Sequence, residues 1–246
     1  KKKFIVDYLK NINLEIKNSL KYFNLFKTTG YFNFKSEDYF FIAKIGNIGI
    51  GNQSGHSHAD SLSFELSLFN NRFIVNKGVS TYEENQERLI ERSTISHNTV
   101  TIGDKNSSVV WKSFRLANRA KSKLIEYKEN ENNFYLTAQH FGYKKFFLSN
   151  THTREWKFYN KKIIISDKIK FFQNSKVKSR IYLHPNVKIL TINKLEFCDK
   201  IININFFNAK ASFKKSKWNS EFGLSLENNF IEFIFLDNNI DIILEW

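Results

Sequence analysis

The chain has no methionine, one cysteine, one proline and nine glycines in 246 residues. The single thiol, Cys198, excludes an intrachain disulfide and reads as a small apolar side chain of the core. No run of about 18 apolar residues occurs, so nothing in the sequence spans a membrane. Lys1-Lys2-Lys3-Phe4-Ile5-Val6 begins like a secretion signal, but Asp7 breaks the apolar stretch. With no initiator methionine, the chain reads as a piece whose N-terminus, with any signal, lies upstream. Arginine is scarce too: seven of the 38 basic residues, against a net charge of +14. A surface selected to grip phosphates or carboxylates would lean on arginine forks, so the excess lysine reads more as compositional drift than as a polyanion surface. Nucleic-acid binding has no recognised motif or arginine stripe behind it.

Phenylalanine (26) and tyrosine (10) are abundant instead, and aromatic residues at short spacing favour sheet. Ile5, Leu9, Ile12, Ile16 and Leu20 recur at helical spacing, which predicts one amphipathic helix within residues 4–26 and a helical segment over 1–29. After Gly30 the pattern becomes short strands joined by asparagine-rich turns. Asn70-Asn71 is the expected hairpin turn between Leu62–Phe69 and Arg72–Val75. More than ten such strands with no alternating helices predict an all-β fold for 30–246, a large two-layer antiparallel β-sandwich.

Residues with site chemistry cluster in one third of the chain. Gly55-His56-Ser57-His58-Ala59-Asp60 leads into a strand; in extended backbone, residues two apart point to one face, about 7 Å apart at Cα. Ser93-Thr94-Ile95-Ser96-His97-Asn98 ends a second polar loop, and Asn76-Lys77-Gly78-Val79-Ser80-Thr81-Tyr82 follows the paired strand. Converging imidazoles make a zinc site of ordinary chemistry, and a carboxylate such as Asp60 often orients a ligating imidazole. A metal-free hydrogen-bonded cluster is the alternative. Arg88 and Arg92 are four apart: they either flank this site or pair locally, Arg88 with Glu84 and Glu91. Trp111 and Trp156 either stack on sugars or fill the core.

These blocks, with Trp111-Lys112-Ser113-Phe114-Arg115 after them, resemble the heparinase II/III-like polysaccharide lyases in order and spacing. The resemblance covers roughly residues 30–120. It implies a helical toroid domain upstream, a β-sandwich here, and a periplasmic or envelope location. It implies that His56 lines a catalytic cleft, with Tyr82 near a cleft tyrosine. His58 and His97 would be ligands of a structural Zn²⁺, and Asn76 would stand where the family usually has aspartate. An amide is the poorer ligand, so this substitution weakens the expected site. The implied activity is β-elimination in uronic-acid glycans, incomplete in this chain because the toroid supplies further catalytic residues. Arg88 and Arg92 are added candidates for meeting the substrate carboxylate. A non-catalytic glycan-binding or scaffold module is the alternative. A metallo-β-lactamase-like hydrolase is disfavoured, because Ser61 stands where that motif expects a histidine.

Overall fold

Strict alternation of buried and open side chains sets the architecture. The computed structural model describes residues 22–49, 54–130, 133–144, 150–170 and 176–246. Along β10 (Phe134–His140), β11 (His152–Tyr159) and β12 (Lys162–Ile169) nearly every second side chain is buried. Period-2 patterning of this kind lets one sheet face go dry while the other stays wet. These strands are central to an eight-stranded antiparallel sheet. Its order is β14 (Lys188–Thr191), β15 (Lys194–Phe197), β16 (Lys200–Phe207), β19 (Asn239–Glu245), β12, β11, β10, β9 (Ser122–Glu129).

The facing layer has two parts. Five strands run in sequence order: β1 (Tyr22–Phe26), β2 (Tyr31–Lys35), β3 (Tyr39–Lys44), β4 (Phe64–Leu68) and β5 (Asn71–Ile74). Four more are ordered β17 (Ala209–Glu221), β18 (Leu224–Phe235), β13 (Val177–Tyr182), β6 (Val100–Ile102). Ile74 bridges to Leu183, and the Val75 N–H donates to Tyr182 at 2.9 Å, joining the two parts. Between the layers, Phe34 and Phe41 each meet the Phe158 ring at 4.8 Å, and Phe206 meets Phe233 at 5.6 Å. Burying each such ring stabilises the fold by about 1.5–3 kcal/mol.

The core face of β10–β12 changes character along its length. Phe134, Phe158 and Ile163 sit side by side, then Leu136, Trp156 and Ile165, then Ala138, Arg154 and Asp167. The sandwich is therefore aromatic at one end and ionic at the other. Above the ionic end lie the loops with the polar motifs, a helix, α1 (Gln86–Arg92), and the hairpin β7 (Val109–Lys112)–β8 (Arg115–Ala117). Among the described residues no helix is long and apolar enough to cross a membrane.

Three expectations change, and one open alternative is resolved. Residues 1–21 of the expected helical segment lie outside the described residues, but Tyr22–Phe26 is strand β1, paired along its length with β2. Its alternate residues, Phe23 and Leu25, pack against the core, so tertiary burial wins over a helical pattern read through it. The β4–β5 turn is Phe69-Asn70, with φ of 52° and 61°, and Leu68 pairs with Asn71. The Phe69 N–H bonds to Asp38 at 2.8 Å and its ring packs on the core, which outweighs the preference for asparagine there. Cys198 is exposed, because it and Asp199 form the tight β15–β16 turn with φ of 50° and 58°. Trp156 is fully buried and cannot stack on a sugar, whereas Trp111 is 54% exposed.

Candidate active site

Four buried polar side chains fix the loops before any site residue is considered. Arg154 donates from one terminal nitrogen to the carbonyls of Leu62 (2.8 Å) and Asn98 (2.6 Å), tying the His58 loop to the His97 loop. Asn98 donates to Phe64 (2.8 Å) and Val75 (3.0 Å) and accepts from the Tyr182 N–H (2.7 Å). Glu91 accepts from the Ser80 N–H (2.8 Å) and from Asn219 Nδ2 (2.8 Å), binding α1 to both the 75–82 segment and β17. Arg92 spends its donors on the carbonyls of Ser54, Ser57, Lys112 and Arg115 at 2.7–3.5 Å. Its guanidinium therefore has no hydrogen left for a substrate carboxylate, a departure from its expected place beside the reaction. It positions the loop carrying His56 instead.

His58 and His97 meet: Nδ1 of the first is 3.2 Å from Nε2 of the second. Burial, then the neighbouring imidazole, hold His58 down to about 3, with Arg88 and Arg92 adding and Asp60 opposing. Burial holds His97 down to about 4, against the pull of Asp60. Both rings are thus neutral near pH 7, with lone pairs available. Burial works to raise the Asp60 carboxyl, but Lys44 at 2.7 Å and the two imidazoles leave it below its ordinary value. Asn76 is engaged with other partners: its Nδ2 donates to Glu65 at 3.3 Å and its Oδ1 accepts the Asn98 N–H at 3.1 Å.

His56 does not join that pair. Its ring stands edge-on to Tyr82 (centroids 5.5 Å apart) and Phe114 (6.0 Å). Beneath lies Arg88, fully buried, its guanidinium 4.9 Å from the Tyr82 ring centre and 5.8 Å from that of Phe114. Its Nε and Nη1 have no hydrogen-bond partner. The expected local ion pairs are not what holds it: Glu84 lies 3.7 Å from Lys112, and Glu91 is hydrogen-bonded to Ser80 and Asn219. Burial lowers the Arg88 pKa while nearby Glu91 opposes the shift. His56 and His58 both line one open cavity of about 840 Å³, with Tyr31, Lys44 and Asp60 on its wall. Residues 50–53, just before the Gly55–Asp60 motif, lie outside the described residues.

The family profile described as heparinase II/III-like, C-terminal, matches residues 18–234. The chain belongs to the heparinase II/III-like family as its C-terminal domain. Among solved structures, the heparan sulfate lyase HepC from Pedobacter heparinus superposes with a TM-score of 0.76 at 17% identity. That match covers 99% of this chain and 40% of the lyase. A heparinase III gives 0.73 at 18% identity, covering 93% of this chain and 37% of its own. At such identities the likeness establishes the fold. The chain spans about two fifths of the length of these solved lyases. A search of curated proteins returns no match.

The zinc that the resemblance implies meets a mixed donor set in this heparinase II/III-like domain. His58 Nδ1 and His97 Nε2, 3.2 Å apart, are the two nitrogens that would face such an ion. Asn76, expected as the third ligand, has a neutral oxygen that already accepts a backbone N–H. His97 Nδ1, which would orient a ligating ring through a second partner, has none. Among the described residues no three His, Cys, Asp or Glu side chains converge to hold an ion. The set fits a weakly held ion at most.

Sequence reasoning missed Arg154 and Asp167 altogether. Their signal was available: charged residues on the inward phase of two strands whose other inward residues, His152 apart, are apolar. Phe222, in the β17–β18 turn and 5.2 Å from Tyr82, was missed as well and left no local motif.

Proposed function

We propose that this domain, together with the helical domain of the same protein, forms a lyase that cleaves uronic-acid glycans by β-elimination. The observation that carries the reading is the grouping of an open imidazole, an open phenol and a buried guanidinium with unpartnered N–H groups: His56, Tyr82 and Arg88. β-Elimination needs three things from such a site. The carboxylate at C5 must be neutralised so that the C5 proton becomes acidic; His56 and the field of Arg88 serve this. A base must take the C5 proton as the C4–O bond breaks, and an acid must return a proton to the departing oxygen. The Tyr82 phenol serves both steps, leaving a double bond between C4 and C5.

A Zn²⁺ ion held weakly by His58, His97 and the Asn76 amide belongs to the same reading. Such an ion supplies positive charge that clamps loops together, and the chain's own residues carry the elimination. A periplasmic or envelope location belongs to the same reading. The test is ultraviolet absorbance of the unsaturated product when the full-length protein meets heparan sulfate, hyaluronan or alginate. His56→Ala and Tyr82→Phe abolish the signal on this reading. The 246-residue chain alone is inactive or nearly so. Binding by the full-length protein without any unsaturated product assigns the domain to the alternative, a glycan-binding module.

A further inference from the structure

Resting on that reading, we infer that Phe222 and Phe114 flank Tyr82 as a sugar-stacking wall, a subsite that grips the apolar face of a uronic-acid ring beside His56. Phe222 is 65% exposed, Tyr82 46% and Phe114 43%. Only four of the 21 described phenylalanines are exposed, and two of them stand here beside an exposed tyrosine. They form a contiguous group: Tyr82 is 5.2 Å from Phe222 at an interplanar angle of 32°, and 6.1 Å from Phe114 at 40°.

The wall is built rigidly. Phe222 comes from a distant part of the sequence, and its hairpin is pinned to the segment leading to Tyr82. The Asn219 N–H donates to Lys77 at 2.7 Å, and the Gly223 N–H donates to Ser80 at 3.2 Å. Gly78 (φ +82°) bridges Asn219 so closely that a Cβ there would lie 2.1 Å from the Asn219 oxygen. Such pinning holds the rings in place before any ligand arrives, which lowers the ordering cost of binding.

The occupant is set by the wall's chemistry. Aromatic faces take the C–H face of a pyranose, and a buried cation behind them favours a ring that also bears an anion. A uronic acid has both features. The apolar face of an adjoining helical domain would match the rings but would bring no anion into the field of Arg88 behind them.

The test uses full-length protein with a heparan sulfate octasaccharide, and hyaluronan and alginate oligosaccharides of similar length. Phe222→Ala and Phe114→Ala should each weaken binding or raise KM roughly threefold to tenfold, with kcat little changed. Phe222→Trp should restore binding and Phe222→Leu should not, because a ring face is required. Saturation-transfer NMR should light up sugar C–H protons in the wild type and lose them in Phe222→Ala. Affinity and KM unchanged in Phe222→Ala overturn the inference even where elimination proceeds normally, and so does failure of all three glycans to bind. A melting temperature that falls in Phe222→Ala and recovers in Phe222→Leu, with binding unchanged, assigns the wall to domain packing and also overturns it. If no glycan is cleaved but binding falls as stated, the lyase reading fails and the wall stands.

Discussion

Arg154 and Asp167 sit opposite each other on β11 and β12 and share two hydrogen bonds, of 2.6 and 2.7 Å, with both side chains out of solvent. The same carboxylate accepts from His152 at 2.6 Å and Ser179 at 3.0 Å, and His152 meets His140 at 3.1 Å. Asp167→Asn would leave a buried guanidinium without its counter-ion. The expected loss is about 3–5 kcal/mol, read from urea unfolding. Because Arg154 also holds the carbonyls of Leu62 and Asn98, the imidazole signals of His58 and His97 should shift in the same variant.

Stability should fall on mild acidification, ahead of the carboxylates. His58, His97 and His152 are all held below their ordinary value in the fold, chiefly by burial. The unfolded chain titrates them near pH 6.5, so below that pH it takes up protons that the folded chain refuses. Their contribution is complete above about pH 6.5 and declines through about 4 for His97 and about 3 for His58. Each adds up to roughly 1.4 kcal/mol per pH unit within its window. Denaturant unfolding at pH 7 and pH 5, with chelator present, checks this; equal stabilities would contradict it.

On the proposed reading, Asn76→Asp should strengthen zinc binding. The change supplies the missing negative charge beside the facing nitrogens of His58 and His97. Zinc affinity in a chelator competition should rise by about tenfold or more, equal to roughly 1.4 kcal/mol. Without metal the same variant should lose stability, because the new carboxylate faces Glu65 at the old amide position.

Gly78→Ala should loosen the β17–β18 hairpin tip. A positive φ and a Cβ 2.1 Å from a backbone oxygen together leave the methyl nowhere to go. A cost of about 1–3 kcal/mol, with faster amide exchange at Asn219 and Gly223, is the expected result.

The sandwich is legible because it depends on local pattern, whereas the meeting of His58 with His97 was implied only by the family resemblance. Period-2 burial marks the strands, and glycine-flanked histidines mark the loops. What stayed hidden depends on pairing between distant strands. That Arg154 would face Asp167 follows from strand register, which no local pattern fixes. Phe222 meets Tyr82 only because a hairpin some 140 positions later returns over the 75–82 segment. Arg92 was misjudged for a related reason: its chemistry suits a substrate, but its carbonyl partners come from two loops whose folding no motif announces. Tyr22–Phe26 read as helix because apolar spacing there fits both periods, and only the edge of β2 chooses between them.

The turn at Cys198 and Asp199 has a practical side. It places the one thiol of these 246 residues in water, so a protein disulfide formed in preparations of this stretch alone tethers two copies. Under oxidising conditions, preparations should contain covalent dimers that a reductant dissolves. A maleimide dye would likewise mark every copy at one known corner of the sandwich.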